Sequence, residues 1–133
     1  MTISLAQYFQ AKPHSEDDEA RADDLLARVQ LLLDHLGIVP PTCPNTGSQI
    51  SGSKGGAGDG GFRLSTSTTG SGRSSHKEAK AVDLYDPLGD LDDALDDDAL
   101  EQFGLYREAP NSTPGWCHLT TRAPGSGRRT FNP

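Results

Sequence analysis

The stretch 74-SSHKEAKAVD-83, Ser74 to Asp83, sets a histidine and an aspartate seven residues apart in a chain otherwise rich in glycine and acid. Residues seven apart share a face of a helix, but this segment does not read as one. From 79 to 86, "AKAVDLYD" places Ala79, Ala81, Asp83 and Tyr85 on one side and Lys80, Val82, Leu84 and Asp86 on the other, the period of a strand. His76 then lies on the approach to the strand and has to curl back to meet Asp83. A third candidate ligand, His118, stands in "GWCHLTT", also a strand by its pattern. Two histidines and one carboxylate form a three-ligand set that leaves the fourth tetrahedral position open, as in catalytic zinc sites. Spacing alone leaves open an incidental surface pairing, since His and Asp at arbitrary separations are common.

The other two histidines, His14 and His35, flank or lie on an amphipathic helix and are expected to be exposed. That helix is the plainest element of the chain. Ser15 is its N-cap, Glu16, Asp17 and Asp18 fill the first turn, and Asp18 takes the capping-box position. Ala22, Leu25, Leu26, Val29, Leu32, Leu33 and Leu36 recur along one face, and Gly37 followed by Pro40 and Pro41 ends it. "SLAQYF" before it suits a short helical turn.

Further along, residues 40–61 read as loop with a short extended piece around Ile50, and "GGFRLST" at 60–66 as a strand. "STSTTGSGRSS" reads as a second flexible loop, and residues 90–103 as one acidic helix with a solvated face. "GLYRE" and "GWCHLTT" read as two strands joined by "APNSTP", and 122–133 as an extended tail. Helices come first and strands later, so the expected class is α+β, an N-terminal amphipathic helix packed on a small antiparallel sheet with long glycine-rich loops. One domain spans 1–133, with an arm at 1–14, the helix at 15–37 and a metal-site core at 60–121.

Composition sets limits on function. Of 133 residues, 33% are hydrophobic, with 15 glycines and 9 prolines, so the core is modest and an ion that ties loops together suits it. The net charge of −7 argues against nucleic acid as partner, because phosphate binding needs clustered Lys and Arg. Charge is uneven: nine acidic and no basic residues lie between Asp83 and Glu101, whereas Arg107, Arg122, Arg128 and Arg129 outnumber Glu108 after Tyr106. A cationic C-terminal surface could meet an anionic substrate. No apolar run approaches the ~18 residues of a membrane helix. "MTISLAQYFQ" lacks a basic n-region and an apolar h-region, so the expectation is a cytosolic protein at synthesis, with Cys43 and Cys117 reduced.

Several patterns fail. "GSQISGSKGG" has phosphate-loop glycines without the strand–loop–helix context, and "GGAGDGG" occurs once where calcium-binding repeats stack copies. "DLDDALDDD" lacks the mid-loop glycine of an EF-hand. Asn111-Ser112-Thr113 is a glycosylation sequon, without meaning unless the chain is secreted.

"SSHKEAKAVD" resembles the Ser-x-His-x-x-Gly-x-Ala-x-Asp signature of the zinc D-alanyl-D-alanine carboxypeptidases and related phage peptidoglycan endopeptidases. Ser74, His76, Ala81 and Asp83 fall in register, and Ala79 replaces the glycine. "GGFR" is similar to the family's Ser-Gly-Tyr-Arg segment and "GWCHLTT" to its Trp-x-His strand, so the resemblance covers roughly 15–130. It implies a hedgehog/DD-peptidase-like fold in which His76, Asp83 and His118 hold Zn²⁺. It further implies that Arg63 binds a substrate carboxylate or the developing oxyanion, that Ser74 orients the ligand loop and that peptidoglycan stem peptides are the partner. Trp116, on the same side of its strand as His118, could line a substrate cleft, whereas Cys117 points away.

One departure bears on chemistry. Many relatives carry a general acid/base, often Glu, three residues before the last histidine, and here that position is Gly115. Glu108 is the acid nearest in sequence that could serve, with Glu78 more remote; without such a group, proton transfer slows by ~10²–10⁴. Two readings follow: a zinc peptidase of stem peptides, a phage lysin or virion-associated protein acting on the cell wall; or a non-catalytic tail or capsid protein of the same fold, with other virion proteins as partners.

Overall fold

Ser15 opens the longest helix of the chain by accepting a hydrogen bond from the Asp18 amide, while Asp18 reaches back to the Ser15 amide. In the computed structural model, which describes residues 3–52, 59–67 and 74–133, this helix runs Glu16–Leu36 (α2) after a short α1, Leu5–Phe9. Gly37, left-handed at φ 69°, ends it. His14 and His35 are exposed, as expected. The class is α+β: among the described residues, four α-helices and one four-stranded sheet.

The sheet comprises β1 (Ala81–Tyr85), β2 (Tyr106–Glu108), β3 (Trp116–Thr120) and β4 (Thr130–Phe131), in the order β1-β3-β2-β4. β1/β3 and β3/β2 pair antiparallel, with Asp83 opposite His118 and Arg107 opposite Leu119. Val82, Leu84, Cys117 and Leu119 join Leu25, Val29 and Leu32 of α2 in one core. Strand alternation therefore sends Asp83, Trp116, His118 and Thr120 to the opposite face. The outer edge of β1 is covered by the loop before it: Ile50 bridges Leu84, and Ser51 donates to the Asp83 carbonyl. The extended piece expected near Ile50 is this bridge.

Four expectations need correction. The sheet is mixed rather than antiparallel, because β4 pairs parallel with β2; the tail is thus not merely extended but supplies an edge strand. Residues 60–66 are not a strand. The Gly60 carbonyl accepts from the Asp83 amide, the Phe62 amide donates to Tyr8 and the Arg63 amide to His76, so successive groups bond three different neighbours instead of one ladder. The acidic segment 90–103 breaks into α3 (Asp90–Ala94) and α4 (Asp97–Phe103). Leu95 is extended at ψ 141°, and the Asp96 side chain caps the new helix at the Ala99 amide; aspartate's competition for nearby backbone donors restarts the helix. Nor is the acidic run wholly solvated: Asp86 and Asp92 are buried, the first accepting from the Leu91 and Asp92 amides.

Arg107 likewise does not contribute to a cationic surface. It is buried behind the sheet, donating to the Asp92 carbonyl at 2.9 Å and to Thr130 Oγ1 at 3.0 Å, which ties the tail to α3. The glycine-loop motifs at 47–56 and 55–61 and the flexible loop at 65–75 fall partly or largely outside the described residues. Among those described, no helix is long and apolar enough to cross a membrane.

Candidate metal centre

His76 reaches Asp83 because the chain before β1 makes a tight 3₁₀ turn, Ser75–Glu78. The Ser74 hydroxyl caps it by accepting from the His76 amide, so this serine orients the ligand loop. Ala79 ends the turn in the left-handed region, φ 56° and ψ 37°, and redirects the chain into β1. A non-glycine residue there is strained by roughly 1–2 kcal/mol. Glycine would adopt this conformation without that strain.

The turn buries His76 to 2% exposure and points its Nδ1 at the Gly61 carbonyl, 2.9 Å away. A carbonyl only accepts, so Nδ1 carries a hydrogen, and Nε2 faces Asp83 Oδ1 at 3.4 Å.

Asp83 Oδ1 is also 2.8 Å from His118 Nδ1 across the β1/β3 register. The candidate ligand atoms of His76, Asp83 and His118 all lie within 4.8 Å of one another, and all three residues are buried. Tetrahedral zinc with ligands at ~2.0–2.2 Å sets its ligand atoms roughly 3.3 Å apart. The 3.4 Å separation of His76 from Asp83 is close to that edge, whereas the 2.8 Å contact of Asp83 with His118 is of hydrogen-bond length and would have to lengthen to take an ion. Two imidazoles and a carboxylate are a donor set that zinc accepts, so residues and group fit.

The electrostatics follow from this packing. Burial alone would raise the Asp83 pKa, but the charge of His76 and hydrogen bonds from both imidazoles hold it well below the usual carboxylate range. For His118, burial disfavours the imidazolium, yet the hydrogen bond and charge of Asp83, with Glu108 beyond, outweigh it and raise the pKa. The second Asp83 oxygen, Oδ2, lies 3.6 Å from Arg63 Nη2. Arg63 is fixed by donating Nε to the Asp59 carbonyl at 2.6 Å and Nη1 to Ser74 Oγ at 3.4 Å. One oxygen thus faces the histidines and the other the guanidinium.

Glu108 is brought to the site as well. Arg107 pairs with Leu119 on the core side, so Glu108, the next residue of β2, falls on the face that carries Asp83 and His118. The Glu108 charge is felt at His118, and Phe131, its β4 partner, brings its ring edge-on to His118 at 6.3 Å. Glu78 is not brought there; its carboxylate pairs with Lys80 and Arg122. Gly115, exposed at φ 90° in the turn before β3, is no place for an acid aimed at the ligands. Cys117 faces the core beside Asp92; burial, then that carboxylate, raises its pKa, and neither cysteine is in a disulfide.

Beside Asp83 opens a cleft of about 300 Å³, lined by Ser51, Gly52, Asp59, Gly60, Arg63, Asp83 and Trp116. Its walls depend on residues that sequence reasoning missed. A Cβ on Gly60 would sit 1.9 Å from the Ser51 carbonyl oxygen, and one on Gly61 2.4 Å from that of Tyr8. Only glycines allow this loop to lie against both backbones and aim the Gly61 carbonyl at His76. Tyr8 braces the other side, donating from its buried hydroxyl to the Ala81 carbonyl at 2.8 Å. The signal in the sequence was the Gly-Gly pair before Phe62; nothing local marked Tyr8.

No protein-family model, no curated protein and no solved structure matches the chain.

Proposed function

We propose that the chain is a zinc-dependent peptidase that cleaves peptidoglycan stem peptides, with a hedgehog/DD-peptidase-like fold, and that it serves a bacteriophage as a lysin or virion-associated protein. The observation that carries this reading is the buried His76–Asp83–His118 cluster, whose Asp83 lines a cleft, with Arg63 on one side and Glu108 on the other. That is the composition a hydrolytic site needs: ligands, a cation for developing negative charge, and a group that moves protons. The stem-peptide substrate and the phage setting rest on the resemblance of "SSHKEAKAVD", "GGFR" and "GWCHLTT" to that family.

His76, Asp83 and His118 would hold the zinc ion, which when bound supplies Lewis acidity and lowers the pKa of water at its open position to about 7. The remaining chemistry falls to side chains. Glu108, near His118, accepts a proton from the attacking water and returns it to the leaving amine. Arg63, already held against Asp83 Oδ2, steadies the oxyanion or a substrate carboxylate. The Gly61 carbonyl keeps the His76 tautomer fixed with Nε2 free. Trp116 gives the cleft an apolar wall.

The test is incubation of the zinc-loaded protein with purified murein, following turbidity and released peptides. Release that His76→Ala abolishes supports the peptidase. Zinc bound without any release supports the second reading, a non-catalytic tail or capsid protein, which the absence of an acid at Gly115 favours.

A further inference from the structure

The outer edge of β1 is closed by partners from elsewhere in the chain. The Asp83 amide donates to the Gly60 carbonyl, the Ser51 amide to the Asp83 carbonyl and the Tyr85 amide to the Gln49 carbonyl, each at 2.8 Å. At Ala81 the partner is a side chain instead: its carbonyl accepts from the Tyr8 hydroxyl at 2.8 Å, across 73 positions of sequence.

Tyr8 is fully buried and makes a second bond from its main chain. Its carbonyl accepts from the Phe62 amide at 3.0 Å, one residue beyond the Gly61 carbonyl that faces His76 Nδ1. One residue of α1 thus bonds both segments that place ligands: the loop at 60–62, which holds the His76 ring, and the start of β1, two residues before Asp83. With the bond between Asp83 and Gly60, arm, loop and strand close a ring of hydrogen bonds beside the centre.

α1 does not order itself. Five residues are far below the length at which a helix is stable alone in water. It is held by the Ser4 capping box and by burial of Ile3, Tyr8 and Phe9, the last packed on Phe62 with ring centroids 5.1 Å apart. Its exit is strained, since Gln10 and Ala11 are consecutive left-handed residues other than glycine, φ 51° and 61°. Such a pair persists only where the surrounding structure over-determines it. The docking of the arm is therefore firm, and it bears on the two ligand segments.

We propose that Tyr8 is a positioning residue for the metal centre: through it α1 clamps the loop at 60–62 to β1, and docking of this arm sets how tightly His76 and Asp83 hold the ion. This rests on the metal centre and is independent of hydrolysis. Loss of the hydroxyl leaves the buried Ala81 carbonyl without its donor, and β1 readjusts where Asp83 stands.

Tyr8→Phe removes that one hydrogen bond and keeps the ring. Ile3→Ala loosens the arm with Tyr8 intact. Leu100→Val truncates the core in α4, which bears neither a ligand nor a segment that Tyr8 bonds. Zinc affinity of each variant is measured by competition with a chromophoric chelator, beside urea denaturation of the metal-free protein and the visible spectrum of the cobalt-substituted one, which reports ligand geometry. Tyr8→Phe is expected to weaken zinc binding about tenfold, the lower end for lost outer-shell partners, and to shift the cobalt bands. Ile3→Ala changes both in the same direction, and it decides by the same readouts if Tyr8→Phe does not fold. Leu100→Val loses stability but keeps its affinity within about twofold of wild type, as an independent site does. Unchanged affinity and spectrum in Tyr8→Phe overturn the proposal. Equal weakening in Leu100→Val does so too, because affinity would then follow overall stability. A wild-type protein that takes up neither metal removes the metal centre and this inference with it, whereas uptake without murein hydrolysis leaves both standing and removes only the peptidase.

Discussion

Glu108 follows the Arg107–Leu119 pair that ends the β2/β3 ladder, near enough to His118 for its charge to raise the imidazole's pKa. On the proposed reading, the acid missing at Gly115, in the turn before β3, comes from Glu108 of β2. Glu108→Gln keeps the shape and removes the proton acceptor. We expect hydrolysis to fall by ~10²–10⁴ while zinc stoichiometry is unchanged, measured by kcat and metal analysis on the same preparation. Equal activity in the variant would take Glu108 out of the mechanism.

The metal-free and zinc-bound proteins should respond oppositely to pH. The raised pKa of His118 means that its contribution to stability is present below its ordinary value near 6.5 and lost as pH rises through the higher folded value. The depressed pKa of Asp83 means that its contribution is present above ~3.9 and lost as pH falls toward the lower folded value. The metal-free protein should therefore melt at a higher temperature at pH 5.5 than at pH 8, and His118→Gln should flatten that difference. Zinc needs deprotonated ligands, so its stabilisation grows over the same interval. Thermal melts with chelator and with zinc at the two values check both slopes.

Much of the centre was legible because its parts are local. The Ser15 cap, the α2 stripe and the alternation through Asp83 depend on near neighbours in sequence, and each yielded the element found. Phe62 and Leu64 alternate just as well, yet no strand forms. The backbone around them is taken by Tyr8, His76 and Asp83, which are distant in sequence. The same non-locality hid β4, whose two residues pair only because Arg107 and Thr130 meet. Glu108 was legible as the acid nearest in sequence, but its place near His118 depends on how β2 pairs with β3, which no spacing along the chain expresses.

Ala79→Gly sets three effects against one another. Relief of left-handed strain is worth ~1–2 kcal/mol. Loss of a fully buried methyl costs ~0.8 kcal/mol, and added chain entropy costs ~0.5–1 kcal/mol. We expect a net change within about 1 kcal/mol by urea denaturation. A larger loss would mean that the Ala79 methyl packs more tightly than its burial conveys.

Gly61→Ala should act on the metal rather than only on the fold. Its new Cβ meets the Tyr8 carbonyl and pushes away the loop whose own carbonyl orients His76. Lost outer-shell partners typically weaken a metal site ~10–100-fold. Competition with a chromophoric chelator measures this, and undiminished affinity would show that the Gly61 carbonyl is dispensable.

Arg107→Ala removes one partner of the buried pair behind the sheet and leaves Asp92 facing Cys117 and Asp86. We expect a loss of about 3 kcal/mol by chemical denaturation. A loss below about 1 kcal/mol would place this pair among ion pairs that water screens.

The central claim is that His76, Asp83 and His118 together hold one metal ion. Zinc titration of chelator-stripped protein by calorimetry, with metal content verified after dialysis, tests it most directly. The account predicts one equivalent bound in the wild type and none retained in His76→Ala, Asp83→Asn or His118→Gln. A wild-type protein that takes up no zinc, or variants that bind as well as it does, would contradict it.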